Sequence, residues 1–148
     1  MRHCIILLAA FSILLPVSSS VFAEGAGIEW DILNDEVNEL YRTGKYARAV
    51  VVAKKALEVA EENVGPYHTS VALSLNNLAL LYDAQGHYAQ AEPLYKRALK
   101  IVEKALGSDH PHVATGLGNL ASLYRATKRD KEAEPLEERA ARIRAIQR

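Results

Sequence analysis

Val71-Ala72-Leu73-Ser74-Leu75-Asn76-Asn77-Leu78-Ala79-Leu80-Leu81-Tyr82, followed by Gly86-His87-Tyr88-Ala89-Gln90-Ala91-Glu92-Pro93-Leu94-Tyr95, decides the architecture, because much of it returns 42 residues later. Aligning residues 65–106 on 107–148 makes 18 of 42 positions identical. Gly65 falls on Gly107, His68 on His110, Leu75 on Leu117, Asn77-Leu78-Ala79 on Asn119-Leu120-Ala121, and Ala91-Glu92-Pro93-Leu94 on Ala133-Glu134-Pro135-Leu136. A period of this length is the mark of stacked repeats, each a unit that cannot bury its apolar face alone. Leu75, Leu78, Ala79 and Tyr82 lie at i, i+3, i+4 and i+7, one face of a helix, so they read as core.

Working outward, the chain divides into three helix pairs. Upstream, Trp30, Leu33, Val37 and Leu40 form one stripe and Val50, Ala53, Leu57 and Ala60 another, with Gly44 at the break. The second pair is predicted over about 69–85 and 88–105, the third over about 111–126 and 130–146. Gly44 and Gly86 suit the left-handed turn that ends a helix. Between pairs, Gly107 closes a helix, Ser108 or Asp109 can cap the next, and Pro111 suits a first turn. Pro93 and Pro135 are expected to be tolerated because a first turn lacks internal N–H partners.

This pattern resembles the tetratricopeptide repeat. The positions that carry the resemblance are Leu75, Leu78, Ala79, Tyr82, Gly86, Tyr88, Ala91 and Ala98 in the second repeat. In the third they are Leu117, Leu120, Ala121, Tyr124, Lys128, Asp130, Ala133 and Ala140. The 42-residue spacing, with Leu-Asn-Asn-Leu-Ala-x-Leu-Tyr, Ala-Glu-Pro-Leu-Tyr and Gly-x-Asp-His-Pro, is similar to the kinesin-light-chain subclass. The resemblance implies an all-α, right-handed superhelical solenoid of three antiparallel helix pairs, with repeats at about 29–64, 65–106 and 107–148. Departures fall at the ends. Leu40 stands for the first-helix tyrosine of repeat one; Lys128 and Asp130 replace the turn glycine and tyrosine of repeat three, and Glu137 replaces the residue matching Tyr95. A last helix that faces water should lose aromatics and gain charge in this way.

The resemblance implies that one stripe of each first helix lines a concave groove. The candidate binding residues there are Asn34, Asn38 and Arg42, then Asn76, Asn77 and Leu80, then Asn119, Ser122 and Arg125. Asparagine is poor inside helices, since its amide competes for backbone bonds. Two readings explain so many: clamping the main chain of an extended peptide, as groove residues of such arrays do, or bridging adjacent repeats by hydrogen bonds.

Composition excludes several functions. With 49% hydrophobic and 24% charged residues the chain fits one globular domain rather than a disordered segment. A formal net charge of zero gives no reason to expect nucleic acid or an anionic membrane. His110 and His112 sit at a predicted helix start, where turn chemistry explains them, and His68 repeats His110, so no metal is expected. No phosphate loop, activated nucleophile or paired catalytic carboxylates stand out, and neither an enzyme nor a cofactor is expected.

The N-terminus reads as a targeting segment. Arg2 and His3 precede an apolar run from Cys4 to Leu15, and Val21-Phe22-Ala23 is a small-residue cleavage pattern, so residues 1–23 are expected to be a leader removed after Ala23. Residues 24–28 would then be a short linker and 29–148 the repeat domain. The alternative is an uncleaved anchor over residues 4–23. Removal of the only cysteine, Cys4, leaves an exported chain without a disulfide, held by helix packing. The expected product is a secreted or periplasmic adaptor for a peptide or protein segment, with no membrane span after cleavage. The alternative is a protein that assembles with further copies of itself or with an envelope complex.

Overall fold

The computed structural model describes residues 19–147, with side chains from residue 27. Six helices follow one another: α1 Ser19–Arg42, α2 Tyr46–Val64, α3 Thr69–Ala84, α4 Tyr88–Leu106, α5 Pro111–Ala126 and α6 Asp130–Ile146. Each packs chiefly against its neighbours in sequence, giving a stack of three antiparallel pairs. The fold is an all-α solenoid.

The predicted leader lies for the most part outside the described residues. The linker expected at 24–28 does not interrupt the chain, because α1 begins at Ser19 and runs through it. Glu24 and Ala26 are adequate helix formers, no proline intervenes, and Gly25 and Gly27 each cost only about 1 kcal/mol in a helix held further along. Among the described residues no helix is long and apolar enough to cross a membrane.

Alanines set the spacing within each pair. Ala49, Ala79, Ala91, Ala121 and Ala133 are fully or almost fully buried, allowing close approach of the backbones. Larger side chains fill the layers between pairs: Leu75, Leu81 and Tyr95 in repeat two, Leu117, Leu123 and Ile143 in repeat three. Pro93 and Pro135 lie at the sixth residue of their helices, one turn deeper than orphan N–H groups alone would excuse. Both are exposed, so the carbonyl each leaves unpaired faces water.

The helix ends repeat with the period. His68 and His110 are the N-caps of α3 and α5, each ring Nδ1 accepting a backbone N–H two residues on, from Ser70 and His112, both at 3.2 Å. The caps expected at Ser108 or Asp109 thus belong to His110, whose Nδ1 stands in for the oxygen of an ordinary capping side chain. Gly44 and Gly86 adopt φ of 72° and 74° at the turns inside the pairs. Lys128, at the equivalent place in repeat three, is forced to the same left-handed region with φ of 60°.

Candidate binding groove

Along the groove the asparagines form a ladder between repeats. Asn77 Nδ2 donates to Asn34 Oδ1 at 3.1 Å, and Asn119 Nδ2 donates to Asn76 Oδ1 at 2.8 Å. Asn34 is buried and also donates to its own helix at the Trp30 carbonyl, 2.8 Å away. Of the two readings of these residues, bridging is what the geometry displays for all four. Bridging does not exhaust them. Among the described residues, Asn76 keeps its amide nitrogen and Asn119 its amide oxygen without a protein partner, and both side chains are half-buried rather than sealed.

The other candidate residues divide by position. Asn38 and Ser122 are exposed on α1 and α5. Leu80 is partly buried against the cluster of Ala79, Tyr95 and Leu120, so much of it belongs to the core. Arg42 forms an ion pair with Glu39 on its own helix. Arg125 makes a two-pronged contact to Glu137, at 3.1 and 2.7 Å, and a third bond to Asp130. That contact replaces one in repeat two, where the buried Tyr95 hydroxyl donates to Asp83 at 3.3 Å. Burial raises the Asp83 carboxyl above its usual pKa and raises the Tyr95 phenol as well.

Beside the ladder opens a cleft of about 320 Å³, walled by Leu73 and Asn76 of α3 and Thr115 of α5, and floored by Leu99, Val102 and Leu106 of α4. Residues 42 positions earlier enclose only about 90 Å³. The difference is Trp30. Its indole lies at the position of Ala72 one repeat later, fills the first joint and donates Nε1–H to the buried Ser74 hydroxyl at 2.8 Å. At the second joint the matching residues are Ala72 and Gly116, where a Cβ would come within 3.2 Å of Leu99 Cδ1. Ala72 therefore leaves open what tryptophan closes, Gly116 lets α5 approach Leu99 closely, and the Trp30 side chain also lines the cleft. Sequence reasoning singled out Asn76 but missed the rest of the cleft, although Trp30, Ala72 and Ala114 at one aligned position carried the signal.

Ion pairs also link the repeats. Glu92 accepts from Arg129 at 2.6 Å and from Lys96 at 2.6 Å, and these hydrogen bonds, Arg129 first, pull its carboxyl down to a pKa of about 2. The Arg129 guanidinium also stacks on the Tyr124 ring, 4.2 Å from its centroid.

Sequence comparison supplies the family. The tetratricopeptide repeat model matches residues 39–104 and 88–145. The chain belongs to the tetratricopeptide repeat family. Solved structures agree with it. BtubC (BKLC) from P. vanneervenii is 27% identical, with a TM-score of 0.74 over 86% of this chain and 53% of its own. A putative kinesin light chain from Podosopora anserina, with nearly identical repeats of this type, is 25% identical, with a TM-score of 0.71 over 78% of this chain and 55% of its own. The tetratricopeptide chain described here thus spans about half the length of either, and both likenesses place it among kinesin-light-chain-like repeats. No curated protein is a significant match.

Proposed function

We propose that this tetratricopeptide array is a non-enzymatic adaptor that holds an extended segment of a protein partner along α1, α3 and α5, with an apolar side chain of that segment in the cleft between α3 and α5. The observation that carries the reading is the open apolar cleft directly beside Asn76, whose free amide donor and the free acceptor of Asn119 match the alternating N–H and C=O groups of an extended backbone. Asn38 and Ser122 continue the same stripe and would meet the flanking residues of the segment. We further propose that residues 1–23 are a cleaved leader that delivers the chain to the periplasm or the cell exterior. An intact mass of the exported protein that still includes them would refute that part.

The test is selection of peptides from a displayed random library on the purified chain, repeated with Asn76→Ala combined with Leu73→Trp. Leu73 is 47% exposed at the cleft wall, so tryptophan there blocks the cleft without disturbing the core. Peptides should be enriched by the original chain and lost by the variant at unchanged melting temperature. Equal enrichment by both would place binding elsewhere.

A further inference from the structure

The joint between repeats two and three has a counterpart at the two ends of the stack. Because positions recur every 42 residues, α1 corresponds to α5 and α6 to α4. Among the contacts that hold the internal joint in register are Gly116 against Leu99, Asn119 on Asn76, and Arg129 on Glu92. Arg139 on Glu103 and Tyr124 on Glu92 also cross it, and their end counterparts, Lys55 with Ala145 and Leu40 with Glu134, form no pair. The residues at the end positions matching the first three are Ile32 and Ala141, Asp35 and Gly118, and Lys45 and Glu134.

Two of these pairs are complementary. Gly116 against Leu99 sets a small residue on a large one, and Ile32 against Ala141 reverses the sizes at the same place. Lys45 with Glu134 keeps the polarity of Arg129 with Glu92. Asp35 cannot donate as Asn119 does, and Gly118 has no side chain to accept. Over Gly118, however, lies the guanidinium of Arg144, its Nη2 3.4 Å from where a Cβ would stand. A carboxylate arriving in register would therefore meet a cation. Neither Asp35 nor Arg144 has an ion-pair partner among the described residues, and Ile28 and Ile32 on the same face of α1 are 61% and 62% exposed.

We propose that the α1 face of one molecule docks head to tail on the α6 face of a second copy, continuing the repeat register, with Asp35 paired to Arg144 of that copy. Such an interface is heterologous, so copies add as an open chain unless the rotation closes a ring. Where Leu120 and Leu123 are buried in the internal joint, α1 carries Glu36 and Glu39, so only the first half of the face is apolar. Association is accordingly reversible and weakened by salt. Asp35 and Gly118 stand at the ladder positions of Asn119 and Asn76, so the interface continues the groove stripe beyond the ends of the stack. It is read by mass rather than by peptide capture, and its failure is thus distinguishable from that of the adaptor reading.

Sedimentation velocity of the chain as isolated from cells tests it, across a wide concentration range at low and high salt, beside Asp35→Arg and Arg144→Glu. The original chain should at least double its weight-average mass at high concentration, and less so in high salt, while each variant alone stays monomeric with unchanged helix content. An equimolar mixture of the two variants should associate again, because Arg at position 35 of one then meets Glu at position 144 of the other. A monomeric original chain, variants that associate as the original does, or a mixture that stays monomeric would each overturn the proposal.

Discussion

Lys128 is the non-glycine residue found in the left-handed region among those described, and it occupies the turn that Gly44 and Gly86 make in the other repeats. A Cβ there costs about 1 kcal/mol, so Lys128→Gly should raise the stability of the third pair by about that amount, read as a higher melting temperature. Glu92 makes the opposite kind of contribution. Its carboxyl is held at about 2 when folded, chiefly by Arg129, against the 4.5 of a free glutamate. The stabilisation is therefore complete above about pH 4.5 and is lost as pH falls through about 2. Glu92→Gln should flatten the fall of stability over that window, measured by urea unfolding at successive pH values. The glycine positions, the departures at Lys128 and Glu137 and the asparagine stripe were all legible in one repeat laid on another. Which amide meets which was not. The ladder joins residues 43 apart, one off the repeat period, because adjacent first helices meet through offset positions rather than equivalent ones.

At the scale of the helix, close approach within a pair depends on alanine. Ala79 and Ala91 have no exposed surface, and Ala79→Leu or Ala91→Leu should overpack the contact and cost about 1–3 kcal/mol, seen as a lower denaturation midpoint at unchanged slope. Helix limits were readable within a residue or two because glycine, proline and the histidine caps punctuate them. The exception is the start of α1, where Glu24 and Ala26 let the helix run on through two glycines. Trp30 governs how α1 joins the stack. Trp30→Ala should cost about 3 kcal/mol or more, and should open at the first joint a space like that found at the second. As the sole tryptophan it also reports on itself: its fluorescence should change together with global unfolding if the three pairs melt as one unit.

Taken whole, the molecule has one helix stripe doing two jobs, tying repeats together and leaving polar atoms free beside an apolar cleft. The architecture was legible because a repeat states its period openly. The cleft was not, since it arises where Ala72 stands in place of a tryptophan, and emptiness becomes visible only when Trp30 is placed in the matching joint. We propose that a partner segment enters at the cleft between α3 and α5. Placing a photo-crosslinking side chain at Leu73 on the cleft wall, and separately at the exposed Lys100 of α4, measures this in cells. Position 73 should give one discrete protein adduct, position 100 none, and adding Asn76→Ala should abolish the adduct. An adduct that forms at position 100 and not at position 73 would contradict it.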